Sequence, residues 1–317
     1  MSAVNYANLA FSYLNLNDLD KAKATADQAE AKNLDSQSLR ASIYQLAFLQ
    51  DDAPGMARQA AWAAGKPAVE DVLLASEANT AAYFGRLAQA REFSRRAIAS
   101  AEREEEKETA AGYEAEVALW EALFGNAAEA RRRSAAALGL SNGRDVQYGA
   151  ALALAFTGDA GQALALADDL GKRFPEDTLV KFKYLPTIRA QLALSRNDSP
   201  RAINNLQVAA PYELGLPVGG AFSPTLYPVY VRGKSYLAAH QGREAAAEFQ
   251  KILDQRGVVQ NEAIGALAHL GLARAYVLQG DTAKARVAYQ DFLGLWKGAD
   301  PDIPVLKQGR AEYAKMQ

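Results

Sequence analysis

The chain has 317 residues, a formal net charge of −2 and no cysteine. That charge gives no global attraction to nucleic acid or to an anionic membrane. The lack of cysteine excludes zinc-finger and disulfide scaffolds and leaves the redox compartment open. Hydrophobic residues make up 50% of the chain, and many of them are alanine, the strongest helix former and small enough for helices to pack closely. No uncharged apolar run reaches the ~20 residues that a bilayer span needs. The opening MSAVNYANLAFSYL lacks the basic start and unbroken apolar run of a signal peptide, and reads as a first helix.

A phrase recurs from the first residues onward. It reads LAFSYLNLNDLDKAKATADQA at 9–29, GKSYLAAHQGREAAAEFQKIL at 233–253 and LARAYVLQGDTAKARVAYQDFL at 272–293. Each is a helix ending near a tyrosine, then a turn, then a second helix opened by a small residue. Eight such openings follow in chain order: Ala22, Ala57, Ala90, Ala130, Ala163, Ala202, Ala245 and Ala285, spaced by 35, 33, 40, 33, 39, 43 and 40 residues. Five positions before most of them stands a turn former: Asn17, Asp52, Gly85, Gly125, Gly158, Asn197 and Gly280. Gly and Asn tolerate the left-handed conformation that ends a helix. A period near 34 residues means a stack of like units whose core grows along one axis, so the two-domain expectation for this length does not apply.

The units resemble the tetratricopeptide repeat. The residues that carry the likeness are Leu9-Ala10-Tyr13 and Leu272-Ala273-Tyr276 in first helices, with Gly233 and Tyr236 repeating the pattern and Arg232 in the leucine position. Second helices add Ala245 with Phe249 and Ala285 with Tyr289. Between residues 36 and 210 Glu121, Leu154 and Ala193 replace the aromatic. Those units are read from turns and periodicity, as divergent repeats or as a plain array of helical hairpins. The expected fold is all-α: a right-handed α-solenoid of about eight such repeats, closed by a capping helix over roughly 303–315 with Asp302 as its cap. Residues 1–209 hold about six divergent repeats, 210–224 an insert, and 225–317 two repeats plus the capping helix, in one continuous solenoid. The insert, APYELGLPVGGAFSP, has three prolines and three glycines and is not read as helix. Its Tyr212, Leu214, Leu216, Val218 and Phe222 are expected to hold it on the array as an ordered cover, a functional lid being the alternative.

Residues 211–315 resemble, more narrowly, the C-terminal repeat region of bacterial eukaryotic-like serine/threonine protein kinases of acidobacterial type. In that family a kinase domain lies upstream, at times across a membrane span, and related repeats follow winged-helix domains of transcriptional regulators. The resemblance implies a docking, sensing or scaffolding segment in the cytoplasm, or outside it where the repeats lie beyond a span. The chain itself has no Gly-rich nucleotide loop, His-Arg-Asp or Asp-Phe-Gly; its nearest string, Asp291-Phe292-Leu293-Gly294, falls in a repeat helix. Without groups to hold Mg²⁺ and a substrate hydroxyl there is no phosphoryl transfer, so the chain is expected not to be an enzyme. Met1-Ser2 running straight into a repeat helix fits a non-catalytic part of a longer protein.

No other chemistry converges. His240 reads as a turn residue and His269 as a packed one, without a partner set for a metal or a general base. No Gly-x-Ser-x-Gly elbow is present, and no cofactor or metal is expected. Arg103-Glu104-Glu105-Glu106-Lys107-Glu108 reads as a solvated helix junction with internal ion pairs, Arg131-Arg132-Arg133 as an exposed helix face, and Trp62, Trp120 and Trp296 as packing. In repeats of this kind first-helix side chains line the concave face. That rule selects Tyr230, Lys234, Leu270 and Arg274, with Tyr227 one turn earlier and Tyr148, Tyr184 and Gln191 in preceding units. Rings and cations together suit a peptide or protein partner, though the same tyrosines would also serve as padding. Self-association through apolar ends, possible homo-oligomers and a small-molecule cavity beside the insert are the alternatives.

Overall fold

The computed structural model describes residues 2–215, 222 and 224–316. Among them every regular element is a helix. Seven hairpins follow directly from the phrase: α1 (Ala3–Asn15) with α2 (Leu19–Ala31), α3 (Gln37–Leu49) with α4 (Ala53–Ala63), α5 (Glu70–Tyr83) with α6 (Leu87–Arg103), α7 (Lys107–Phe124) with α8 (Ala127–Leu140), and α9 (Arg144–Phe156) with α10 (Ala160–Arg173), then α13 (Tyr227–Ala238) with α14 (Gly242–Asp254) and α16 (Ala263–Leu278) with α17 (Thr282–Leu295). The sixth is less regular: a π-helical turn at Val180–Tyr184 runs into α11 (Leu185–Ser195), which pairs with the short α12 (Ser199–Asn205). The π turn ends two residues before Pro186, whose missing N–H interrupts the helical ladder. A single turn, α15 (Arg256–Val259), precedes the last hairpin, and α18 (Pro304–Ala314) follows it. The chain is an α-solenoid.

One left-handed residue makes each hairpin turn: Asn17, Asp51, Gly85, Gly125, Gly158, Asn197, His240 and Gly280. His240 fills the seventh turn, as its sequence position suggests, and one turn revises the expected register: the second is Asp51, not Asp52. Asp52 instead caps α4, its carboxylate accepting from Gly55 N at 2.9 Å, as Asp18, Asp198 and Asp281 do for their helices. The opening residue stands four after the cap, so the second unit opens on the half-buried Met56, and Ala57 faces solvent. Met56 lies 34 residues after Ala22 and 34 before Ala90 (56 − 22 and 90 − 56), which makes the first units regular.

The departures from the repeat pattern have local causes. Glu121 is fully buried because Arg91 clamps it at 2.6 and 2.9 Å, with Asn126 adding a third contact. Arg232 is also buried and pairs with Glu213 of the insert and Glu248 of α14, while Lys251 holds the other Glu213 oxygen. The insert begins as a 3₁₀ helix, Gln207–Tyr212, contrary to the non-helical expectation. Tyr212 stacks on Phe182, Phe222 is buried beside Gly149, and Leu214 points to solvent. Leu216 and Val218 lie outside the described residues.

The array curves until its last hairpin and the segment before it meet the first four units. Asn17 donates from Nδ2 to Asp254 O at 2.9 Å and accepts from Gly257 N at 2.6 Å. Asn261 donates to Ser76 O and Thr80 Oγ1 and accepts from Gln45 Nε2. Trp296, fully buried, donates to Tyr83 O at 2.9 Å and meets Phe124 edge-on. Asp300 accepts from Ala88 N at 2.7 Å and so supplies the cap that Arg86 does not give α6. Pro304 sits on Gly125. The capping helix therefore rests against the fourth unit as well as the last, and its cap residue is Ile303, not Asp302.

A side chain at Gly257 would place its Cβ 1.7 Å from Leu14 O, a clash with backbone that only displacement can relieve. Gly257→Val is expected to lower stability by about 3 kcal/mol through overpacking, seen as a fall in melting temperature with helical circular dichroism retained. Gly139→Ala, where nothing lies within 4 Å, is expected to be neutral or to stabilise by about 0.5 kcal/mol.

Candidate functional site

The predicted concave stripe does face inward, but the inside is filled. Tyr148, Tyr184, Gln191, Tyr227, Tyr230 and Leu270 are all buried. Phe222 of the insert packs on Gly149, and α9, α11, α13 and α16 pack on one another, so no open groove is left along the stripe. Tyr148 and Tyr184 stack at 3.8 Å, and Tyr184 donates to Asp145 at 2.7 Å. Tyr230 meets Phe249 edge-on at 6.0 Å. Lys234 is half-buried above Phe156, where burial and the nearby Arg274 hold its ammonium down to about 8. Arg274 is engaged by Glu312 through two bonds of 2.9 Å. The stripe thus splits into a Tyr148–Tyr184–Tyr227 cluster and a Tyr230–Lys234–Arg274 cluster.

Residues 255–262, carrying α15, bridge the concave side and leave a cleft on each flank. Val259 and Gln260 line both. Gln260 holds φ 51° and ψ −127°, a conformation that costs energy for a non-glycine residue and persists only where its surroundings fix it.

The first cleft has a volume of about 500 Å³ and runs between α5, α7 and the bridge. Asp71, Glu106, Glu116 and Glu262 lie in its wall, with no Lys, Arg or His among the described lining residues. Asn79 Nδ2 donates to Glu116 at 2.7 Å, Tyr113 OH to Asp71 Oδ2 at 2.8 Å, and Thr225 N to Glu262 at 3.2 Å. Burial pushes Glu116 up to about 7; burial, with Glu116 adding to it, pushes Glu262 up to about 8. Glu262 also feels Lys183, which is buried and donates to Gly215 O at 2.7 Å. Among the described residues three buried polar atoms in this wall lack a partner, Asn15 Oδ1, Gln45 Oε1 and Asp71 Oδ1, while Thr225 Oγ1 and Glu262 have only each other.

The second cleft, of about 460 Å³, is walled by Phe48, Tyr83, Phe84, Arg256, His269 and Leu295. It continues into a shallower trough that shares Phe84, His269, Asp291 and Leu295 and extends to Lys297. Phe48, Tyr83 and Phe84 pack edge-on or tilted within 6.2 Å of one another. His269 is half-buried there, and burial lowers its pKa; His240 is exposed at its turn.

Two charge runs are placed differently from expectation. Arg103 pairs with Glu70 and not within its own run, while Glu106 reaches the first cleft. Arg131 and Arg132 are exposed and ion-paired, but Arg133 is largely buried against Glu114 and Glu129. The residues that sequence reasoning missed are Asp71, Glu116, Thr225, Asn261 and Glu262. A signal for two of them was present: Glu116 sits between Ala115 and Val117, and Glu262 opens the apolar run AIGALAHL. A carboxylate inside an apolar run demands a partner or a cavity.

A tetratricopeptide-repeat family model matches residues 267–296, the last hairpin. Among solved structures, an IFIT1 monomeric mutant with m7Gppp-AAAA has a TM-score of 0.53 at 14% identity, covering 100% of this chain and 74% of that one. A second IFIT1 structure, with Gppp-AAAA, gives 0.52 at 14% identity and the same coverage. Yeast Tom70 aligns over 99% of this chain and 88% of its own at 14% identity, with a TM-score of 0.36, too low to carry an argument. No curated protein matches the sequence. The described residues form an α-solenoid of eight helical hairpins, and the last of them matches the tetratricopeptide repeat. No helix among the described residues is long and apolar enough to cross a membrane.

The raised carboxyls of the first cleft set a pH dependence. Folded Glu116 and Glu262 bind protons up to about pH 7 and 8, whereas unfolded glutamates lose theirs near pH ~4.3. Their contribution is complete below the unfolded value and is lost as pH rises through 7 to 8. Stability, and the melting temperature with it, is expected to fall between pH 5.5 and pH 9, by roughly 2–3 kcal/mol per group. Glu116→Gln and Glu262→Gln should each flatten that slope in thermal melts across the range.

Proposed function

We propose that this chain is a non-catalytic docking module that holds an extended segment of a protein partner, and that it serves a bacterial serine/threonine kinase or signalling regulator. The likeness of residues 211–315 to kinase-associated repeats supports the second part. The observation that carries the first is the trough that joins the second cleft. It presents aromatic and aliphatic walls with His269, Asp291 and Lys297 along them, the mixture of rigid contact area and hydrogen-bonding groups that peptide recognition uses. Lys234 and Arg274, the two members of the concave stripe that keep some exposure, form a second candidate edge. The capped RNA of two structural neighbours is not carried over to this chain, because the first cleft has no Lys, Arg or His among its described lining residues to receive an anionic backbone.

A second reading, self-association, has its own support. Val4, Phe11 and Leu16 of the first hairpin and Val277, Leu278 and Val287 of the last stand exposed. Affinity capture with the whole chain, Phe84→Ala/Leu295→Ala and Lys234→Ala tests the docking reading. A partner kept by wild type and Lys234→Ala but lost by the folded double variant is the expected outcome. Equal retention by all three would exclude the trough. Sedimentation from micromolar to millimolar concentration tests self-association, and a strictly monomeric chain would remove it.

A further inference from the structure

We infer that the first cleft is a binding site for a small linear polyamine, a function separate from partner docking and on the opposite flank of the bridge. The wall has four carboxylates and no cationic side chain among its described residues. Its unpartnered groups are acceptors. The Thr225 hydroxyl, 6% exposed, has only the Glu262 carboxylate beside it as a partner, and Asp71, 1% exposed, has one oxygen free among the described residues. Buried polar groups are otherwise almost always satisfied, so the free Asp71 oxygen, with the acceptors of Asn15 and Gln45, points to a ligand that brings N–H donors and positive charge.

The arrangement selects an extended ligand over a compact one. Glu106 at the cap of α7 and Thr109, Tyr113 and Glu116 within it are spaced i, i+3, i+7 and i+10, one face about 15 Å long. Asp71, Ser76 and Asn79 run beside them on α5 over about 12 Å. Glu262 closes the Glu116 end, and Glu106 stands half-exposed at the other. No three acidic or histidine side chains among the described residues converge on one point, so a single metal ion would leave most of the row uncompensated. A linear triamine carries its ammonium groups at intervals along such a row. The volume, about 500 Å³, lies within the ~300–1,000 Å³ of small-molecule sites.

Binding is coupled to protons. Glu262 is faced by Glu116 from α7, Lys183 from the π turn, Tyr148 from α9 and Tyr227 from α13. An arriving ammonium favours the ionised carboxylates, so binding releases protons below pH 8 and tightens as pH rises from 6.5 to 8.

The test is calorimetric titration of the whole chain with spermidine at low salt, alongside MgCl₂ and a lysine oligopeptide. Expected are one site, proton release read from buffers of different ionisation enthalpy, and weakening with added salt. Glu116→Gln should weaken binding by about tenfold, as loss of a charge-assisted contact does. Glu106→Gln, at the half-exposed mouth and tolerant of change, should weaken it by about threefold. Thr225→Ala, which removes no charge, gives a further reading if Glu116→Gln melts early. Spermidine binding no tighter than Mg²⁺, or unchanged in Glu106→Gln and Thr225→Ala, would overturn the proposal. Tighter binding of the lysine peptide than of spermidine would also overturn it and assign the cleft to a basic protein segment.

Discussion

The structure depends on the contact between Gly257 and the end of the first helix. Gly257 N donates to Asn17 Oδ1 at 2.6 Å, and its missing side chain lets the backbone come against Leu14 O. Asn17 can face this partner because it holds the left-handed turn of the first hairpin, which turns its side chain out of the helical path. One residue therefore turns the first hairpin and ties it to the bridge between the seventh and the eighth. From that closure follow the bridge across the concave side, the clefts on its flanks and the burial of a stripe that an open solenoid would display.

Closure also fixes the electrostatics. In an open array Glu116 and Glu262 would meet water and ionise near their ordinary values. Brought together beneath the bridge, they lose hydration and repel each other, and the protonated form is favoured up to about pH 7 and 8. The site's carboxylates are hydrogen-bonded on one oxygen by Asn79, Tyr113 and the Thr225 amide. Those bonds orient the side chains and leave acceptors over. A core built only for stability would favour apolar residues of similar volume at such positions.

The helices and their turns were legible because each rests on local chemistry. A left-handed residue, a cap and a buried opening residue recur within about six positions, and the tetratricopeptide likeness of the last hairpin is matched independently. The one slip of register has a local cause too. Asp51 and Asp52 are both turn-compatible, and Ala57 looks more like an opening residue than Met56 does. Glu121 and Arg232 broke the pattern because their partners, Arg91 and Glu213, lie 30 and 19 residues away. Curvature was not legible at all. It is the sum of small rotations between hairpins, and no residue within one hairpin announces where the eighth will arrive. The inward direction of Tyr148 or Tyr227 could be read, therefore, but not the presence of something against it.

Closure changes how stability is shared as well. In an open repeat array each unit touches only its neighbours, so the ends fray while the middle stands. Here the first hairpin is tied to α15, the second and third to Asn261, and the third and fourth to Trp296, Asp300 and Pro304. Each polar tie is worth only about 1 kcal/mol, less than the loss of any one unit would cost. Their effect lies in what they connect. Opening the last hairpin exposes Trp296 and strips α6 of its cap, and opening the first frees the bridge and relaxes the strain at Gln260. The two ends therefore open at the expense of the same contacts, and the clefts on either side of the bridge are held by a seam that neither end forms alone.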